Sequence, residues 1–239
     1  MASARPVQLR PRLQTAFSLY DRCDLAADIG TDHAHLPAAL LERGLCRRMI
    51  LTDISPDALN NARSEMIRRN LMDFVDLRLG NGLSPLTEAC GVISVTGMGG
   101  RTIRSILLSG KDRLHDAKLI LSAHTDWHLI RQSIVDIGYH IDREEPCFDA
   151  GRFYLVIRAL PGAEQMSSRE IRLGNMLFHS DSPYLVPFLQ RRIRILSARL
   201  AGLRSASVPD KEAMTVLLSD IDYLSGQIAR LSEMKEDNQ

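Results

Sequence analysis

A short apolar run near the N-terminus, Leu25–Ile29, leads into polar residues that could bind a ligand, Asp28-Ile29-Gly30-Thr31-Asp32-His33. An Asp-x-Gly sequence ends the run, and a helical pattern follows it. This arrangement is typical of the nucleotide-binding corner of a doubly wound sheet, where ligands bind at the carboxyl ends of the strands. Taken alone, the tripeptide fits a structural turn equally well.

The charges of this segment favour one class of ligand over another. The dinucleotide-binding pattern G-x-G-x-x-G is absent, since only Gly30 is present, and the carboxylate of Asp32 would repel a pyrophosphate. S-adenosylmethionine (SAM) has no phosphate and carries a sulfonium cation, which carboxylates such as Asp28 and Asp32 would stabilise. The segment therefore favours a SAM-dependent methyltransferase over a dehydrogenase.

Two further apolar runs end in residues suited to an adenosine. Asp53 ends the second run, 23 residues after Gly30, and an acidic residue at about this distance can accept both ribose hydroxyl groups. Helix capping is the alternative for Asp53, but Ser55 already fills that role. Gly80-Asn81-Gly82 follows the third run, where an amide can reach the exocyclic amine of adenine; a plain turn is the alternative there.

A glycine-rich sequence, Thr96-Gly97-Met98-Gly99-Gly100-Arg101, follows the fourth apolar run. In a doubly wound sheet the fourth strand lies beside the first, so this loop is expected to face the methyl donor. Its glycines would let the backbone approach a planar ligand and present N–H and C=O groups to it. A glycine-rich turn that leads into a helix could instead hold a phosphate.

The elements that position these loops alternate in type from Leu25 to about Leu160, which predicts a parallel sheet with right-handed crossovers. The predicted strands are Leu25–Ile29, Met49–Thr52, Val75–Leu79, Val92–Thr96 and Leu119–Ser122. The predicted helices are Leu36–Arg43, a segment from Ser55 to about Asn70, Arg101–Leu108 and Trp127–Ile137. The fold class is therefore α/β, with a doubly wound, Rossmann-like sheet.

Two last apolar runs, Tyr139–Arg143 and Phe153–Ala159, have no helical pattern between them. Their β-branched and aromatic residues suit strands. They predict an antiparallel pair at the sheet edge, joined through Glu144-Glu145-Pro146 and Asp149–Gly151.

The chain changes character after Pro161-Gly162, since no further strand pattern follows. From about Arg169 to Leu231 the apolar residues recur at helical spacing in two stripes, with a turn at Arg204–Asp210 between them. The pattern predicts a helical hairpin, interpreted as a two-stranded antiparallel coiled coil. Two domains are therefore expected, one of residues 1–160 that binds SAM and one of residues 161–239 that is helical.

Basic residues cluster on the first helix of this hairpin, at Arg191, Arg192, Arg194, Arg199 and Arg204. Acidic residues open the second helix, so a solvated surface with pairs across the helices is one interpretation. The other is a stripe that contacts RNA phosphates, supplemented by Arg5, Arg10 and Arg12. The net charge of +1 favours neither interpretation.

Composition narrows the class of protein further. With 239 residues, 45% of them apolar and 25% charged, the chain is an ordinary globular one, and no apolar run approaches the length of a membrane span. The N-terminus lacks the apolar region of a secretory signal. The four cysteines are scattered, and His124 and His128 lack the further ligands of a zinc site. A cytoplasmic protein without a metal or a membrane partner is expected.

The motifs taken together resemble those of the TrmK family, bacterial methyltransferases that modify N1 of the adenine at position 22 of tRNA. The resemblance is carried by D-I-G-T-D-H-A-H-L-P, T-D-I, G-N-G-L and T-G-M-G-G-R-T-I-R. It runs from about Leu25 to Leu160 and continues more loosely into the helical tail, since the family also has a C-terminal coiled-coil domain.

The resemblance implies a role for each motif. It places the SAM-binding residues at Asp28, Gly30, Thr31, Asp32, His33, Asp53, Ile54, Asn81 and Gly82. It places the acceptor loop at Gly97, Met98, Gly99 and Gly100. Asp32 is a further catalytic candidate, because its carboxylate could face the adenine N6 amine as the ring becomes cationic. It also implies a tRNA partner, which favours the phosphate-contacting interpretation of the tail arginines.

Two departures from the family pattern concern the substrate side. Many relatives have Asp where this chain has Asn81, and an amide in that place keeps a hydrogen bond but changes its polarity. Many also have Q-P-N after the fifth strand, where this chain has Ser122-Ala123-His124. If the Asn of that motif positions the target base, His124 must replace it.

The expected function is SAM-dependent methylation of N1 of adenine 22 in tRNA, by a monomer or weak homo-oligomer. A SAM enzyme that acts on another RNA, a protein or a small molecule is the first alternative. A non-catalytic nucleotide- or RNA-binding module is the second. Methyl transfer from labelled SAM to RNA would separate the alternatives.

Overall fold

The computed structural model describes residues 6–236, whose strands form one seven-stranded sheet in the order β3-β2-β1-β4-β5-β7-β6. Strands β1 to β5 are parallel, and β7 pairs antiparallel with both β5 and β6. The predicted doubly wound sheet with an antiparallel pair at its edge is thus confirmed. The strands are β1 (Cys23–Ile29), β2 (Cys46–Asp53), β3 (Val75–Leu79), β4 (Val92–Thr96), β5 (Lys118–Ala123), β6 (Tyr139–Asp149) and β7 (Arg152–Pro161).

Helices cover both faces of the sheet. They are α1 (Pro11–Ser18), α2 (His35–Glu42), α3 (Pro56–Arg69), α4 (Gly100–Ser109), α5 (Trp127–Asp136), α6 (Ser168–Leu173), α7 (Leu185–Arg204) and α8 (Lys211–Glu236). Side chains of α1, α2 and α3 form one apolar core on the first face, and those of α4, α5 and the helical tail form a second core on the other. None of the helices within residues 6–236 has the length and apolarity needed to cross a membrane.

Local sequence explains the boundaries of α3. Ser55 caps its N-terminus, since the Ser55 hydroxyl accepts a hydrogen bond from the Ala58 N–H at 3.4 Å, and Pro56 occupies the first turn. Asn70 ends the helix in a left-handed conformation with φ of 59°. These are the ordinary start and stop signals of a helix.

The predicted connection through Glu144-Glu145-Pro146 is wrong, because these residues continue β6 and pair with Ile157, Val156 and Leu155 of β7. Proline is tolerated there because β6 is the edge strand of the sheet. The other predicted connection, Asp149–Gly151, is correct: the chain turns at Ala150-Gly151, which have φ of 48° and 77° and so match the left-handed positions of a two-residue hairpin turn. Helix α1 was not predicted from the sequence.

The tail forms the predicted hairpin of two long helices, α7 and α8. Its apolar side chains join the core beneath α4 and α5, and the rings of Trp127 and Phe188 lie 5.0 Å apart. Coiled-coil packing and the division of the chain at residue 160 stay predictions.

Candidate active site

A cleft of about 430 Å³ opens at the carboxyl ends of β1, β2 and β4. Its volume lies within the range of pockets that bind small molecules. Eight of the predicted site residues line it: Asp28, Gly30, Thr31, Asp32, His33, Asp53, Gly97 and Met98. The first, second and fourth motifs therefore meet at one place, as their position at the strand ends predicts.

Other predicted residues lie outside the lining of this cleft, namely Ile54, Asn81, Gly82, Gly99 and Gly100. Ile54 directly follows Asp53 and is 70% exposed. Asn81 is exposed in the loop after β3. Gly82 has φ of 56°, and an added Cβ would lie 3.2 Å from the Ile106 side chain, so backbone conformation and packing together favour this glycine.

Asp28 lies in the buried part of the cleft. Its Oδ1 accepts a hydrogen bond from the Ser94 hydroxyl at 2.5 Å. Burial raises the pKa of the Asp28 carboxyl above its ordinary value, and the hydrogen bond from Ser94 acts in the opposite direction. A cationic ligand would stabilise the ionised form of a carboxyl held in this way.

The loop after β1 has an unusual backbone. Gly30, Asp32 and Ala34 have φ of 75°, 37° and 51°, and non-glycine residues at positive φ are concentrated at functional sites. The Asp32 side chain is 58% exposed at the mouth of the cleft, with 3.5 Å between its Oδ2 and the Nε2 of His33. Thr31 is buried beside the Asp28 carboxyl, and a hydrogen bond from the Thr31 hydroxyl also lowers the pKa of that carboxyl.

The three glycines of the fourth motif differ in their surroundings. Gly97 has φ of 83°, which favours glycine. A Cβ at Gly100 would lie 2.6 Å from the carbonyl oxygen of Asp126, so this glycine lets α4 pack against the loop before α5. A Cβ at Gly99 would meet no atom within 4 Å. Gly99 thus borders open space.

Met98 joins the first and fourth motifs. A Cβ added at Gly30 would lie 2.0 Å from the Cε of Met98. The absence of a side chain at Gly30 therefore allows Met98 to lie against the backbone of the first motif.

Helix α1 supplies residues that the predicted donor site did not include. Arg10, Arg12 and Leu13 line the cleft. The Arg12 guanidinium lies 5.2 Å from the ring centroid of Tyr154, and its buried Nε has no hydrogen-bond partner among the described residues. Arg10 and Arg12 were predicted only as RNA contacts, and Arg5 lies outside the described residues. Pro11, a helix-start signal that follows Arg10, could have indicated α1.

A family model described as TrmK, tRNA (adenine(22)-N(1))-methyltransferase, matches residues 26–223. The chain belongs to the TrmK family. The match extends from β1 into α8 and so includes the strand-end motifs of the cleft, though not Arg10, Arg12 and Leu13, and most of the helical tail. The resemblance stated from the motifs is thereby confirmed.

Individual relatives agree with this assignment. The tRNA (adenine(22)-N(1))-methyltransferase of Bacillus subtilis (strain 168) is 29% identical over 158 residues, which are 65% of this chain and 66% of the relative. The crystal structure of Streptococcus pneumoniae Sp1610 in complex with S-adenosyl-L-methionine is 28% identical, with a TM-score of 0.78 over 91% of this chain and 98% of that one. The B. subtilis m1A22 tRNA methyltransferase TrmK shares the fold, with 23% identity and a TM-score of 0.82 over 93% and 99% of the two chains.

His124, which departs from the TrmK pattern, directly follows β5. The His124 ring packs edge-on against the Tyr154 ring, with 5.9 Å between the ring centroids. His124 is therefore near the ring that supports Arg12 at the cleft. Within residues 6–233, no three His, Cys, Asp or Glu side chains are placed to hold a metal ion.

The tail arginines fall into two groups. Arg191, Arg194, Arg199 and Arg204 are exposed, and no ion pair within the described part of the chain joins them to α8. Arg192 instead lies over the Trp127 ring at 5.3 Å and donates a hydrogen bond to the Arg172 carbonyl. Burial lowers the pKa of the Arg192 guanidinium to about 10.

Proposed function

We propose that the cleft at the ends of β1, β2 and β4 binds SAM, and that this TrmK-family chain transfers the SAM methyl group to N1 of adenine 22 in tRNA. The observation that carries the proposal is the meeting of Asp28, Asp53 and the Gly97-Met98 loop in one cleft. Three carboxylates, including that of Asp32, line this cleft together with the guanidinium groups of Arg10 and Arg12. The carboxylates match the sulfonium and ammonium cations of the donor.

The cleft geometry supports particular donor contacts. Asp53 Oδ1 accepts a hydrogen bond from the Ser55 N–H at 2.8 Å, which fixes the orientation of the carboxylate, and we assign the ribose hydroxyls of SAM to this group. Thr31 lines the same cleft, so its hydroxyl is a further polar group next to the donor. When bound, SAM supplies a methyl group made electrophilic by its sulfonium.

The acceptor side requires space and orientation more than a strong base. N1 of adenine is paired or stacked in folded RNA, so the base must be turned outward to reach the cleft. We place the adenine ring beside Gly99, where an added Cβ would meet no atom within 4 Å. Holding N1 in line with the donor methyl could lower the barrier by on the order of 7–11 kcal/mol.

The exposed arginines of α7 support RNA as the substrate class rather than a small molecule. Guanidinium groups bind phosphates and displace the counterions of the RNA. Because its substrate would be cellular tRNA, we place the protein in the cytoplasm. We also propose that it is a monomer or a weak homo-oligomer.

Asp53→Ala is expected to abolish most of the thermal stabilisation that S-adenosylhomocysteine gives to the protein. At 100 times the dissociation constant, ligand binding stabilises the wild type by about 2.7 kcal/mol. Melting temperatures with and without the ligand measure the effect. Asp57→Ala, an exposed carboxylate of α3 outside the cleft lining, is the matched control. An unchanged shift in the Asp53 variant would remove Asp53 from the donor site.

A further inference from the structure

A series of aromatic rings leads from the core to the surface of the molecule. Aromatic residues make up only 5% of the chain, yet five of them contact one another in succession. From Tyr184 through Phe148, Phe153 and Phe188 to Trp127, successive ring centroids are 6.3, 4.9, 5.9 and 5.0 Å apart. Trp127 and Phe188 are buried, whereas Phe148 and Tyr184 are each 38% exposed. We call these two exposed rings the aromatic platform.

The aromatic platform lies at the same edge of the sheet as the donor cleft. Leu155 of β7 pairs with Ala123 at the carboxyl end of β5. Phe153 precedes Leu155 and pairs with Phe148, so both rings lie beyond that end. Three strand spacings of about 4.8 Å separate β4 from β6, or about 14 Å. A strand of RNA with one base in the cleft can therefore reach the platform.

Exposed cations lie on both sides of the aromatic platform. On one side is Arg10, which lines the cleft and has its Nε 3.5 Å from the Oδ1 of Asp149, the residue after Phe148. On the other side, Tyr184 directly precedes α7. Arg191 follows seven residues later, two helical turns along the same face, and Arg194 one turn further; both are exposed.

This combination fits one kind of partner. Rigid, partly exposed rings stack on nucleobases irrespective of base sequence, and neighbouring guanidinium groups contact the phosphates. The burial of Phe188 and Trp127 holds the outer rings in place, which lowers the entropy lost when a base stacks on them.

We infer that Phe148 and Tyr184 form a stacking surface for an unpaired nucleobase of the tRNA near the target adenine, with phosphates of the same strand along Arg191 and Arg194. The inference rests on the proposed function. Extraction of the target base from its stack leaves neighbouring bases without a stacking partner, and the platform supplies one. The aromatic platform thereby brings the sheet and the helical tail into contact with the same RNA strand.

Phe148→Leu and Tyr184→Leu are expected to weaken tRNA binding by about 5- to 100-fold each, because base–aromatic stacking is lost. The affinity for S-adenosylhomocysteine and the melting temperature should stay close to those of the wild type. Phe178→Leu is the matched control, since Phe178 packs against Tyr223 in the tail, with ring centroids 5.6 Å apart, and is not part of the platform.

Two readouts separate stacking from a structural role. Phe148→Leu should leave the salt dependence of tRNA binding unchanged. Arg191→Ala should reduce the steepness of that dependence, the slope of log affinity against log salt concentration, by about 1. Abasic substitution at successive nucleotides flanking adenine 22 should, at one of them, erase the difference between wild type and Phe148→Leu.

The outcomes distinguish this inference from the proposed function. If the wild type methylates tRNA while both leucine variants bind it as tightly as the wild type, the platform is refuted and the function stands. If abasic tRNAs leave the difference intact at every flanking position, stacking is likewise refuted. A wild type that methylates no tRNA overturns both.

Discussion

Gly99→Val is expected to slow methyl transfer about 100-fold or more, since a displacement of reacting groups by 1 Å can have an effect of that size. The affinity for S-adenosylhomocysteine should change by far less. The valine side chain would occupy the open space beside Gly99 and hold the adenine away from the donor methyl. Single-turnover rates with saturating SAM and tRNA measure the effect on chemistry alone.

The other glycines provide controls for this variant. Gly99 has φ of −74°, which any residue adopts, so valine there should leave the fold intact. Gly226→Val, in α8 with no atom within 4 Å of the added Cβ, should leave the rate unchanged. Gly100→Ala should instead destabilise the protein, because its Cβ would meet backbone oxygens of the loop before α5. A Gly99→Val enzyme with the wild-type single-turnover rate would contradict the proposed acceptor site.

Glu144→Gln is expected to lower the free energy of unfolding by about 3–5 kcal/mol, because it leaves the buried Arg131 guanidinium without its counter-charge. The two side chains are 0% and 2% exposed, and the Arg131 Nε lies 2.7 Å from the Glu144 Oε1. The pair also binds the start of the tail: Arg131 donates to the Ile171 carbonyl at 3.2 Å, and Glu144 accepts from the Leu177 N–H at 3.0 Å. Denaturant titration measures the loss.

A double variant tests the physical reason. Arg131→Met combined with Glu144→Leu replaces the ion pair with apolar groups and should be less destabilised than Glu144→Gln alone. Arg143 is exposed and directly precedes Glu144. The control Arg143→Gln should therefore change the free energy of unfolding by well under 1 kcal/mol. A loss below about 1 kcal/mol in Glu144→Gln would show that the pair does not hold the tail to the sheet.

The same ion pair explains why Glu144-Glu145-Pro146 was predicted as a connection and not as part of β6. Glu144-Glu145-Pro146 has the composition of a turn, and polar residues at an apparent strand end predict one. The burial of Glu144 depends on Arg131 of α5 and on backbone groups of the tail. Local composition carries no information about such partners. The strand order, by contrast, followed from the alternation of elements, because crossover handedness leaves few arrangements.

In the candidate site, too, some residues could be placed from the sequence and others could not. Asp28, Asp53 and the Gly97 loop could be placed because the carboxyl ends of neighbouring parallel strands meet in space. Arg12 could not, since its position depends on packing against Tyr154 far along the chain. The glycines Gly97, Gly99 and Gly100 look equivalent in the sequence and differ only once their neighbours are known.

Incubation of the protein with SAM carrying a labelled methyl group and total bacterial tRNA tests the central proposal most directly. Digestion and mass spectrometry then identify the methylated nucleoside and its position. We expect labelled 1-methyladenosine at position 22, strongly reduced with Gly99→Val and with Asp53→Ala at limiting SAM. Label on another atom or position, or no transfer to any tRNA by a protein that binds SAM, would contradict the account.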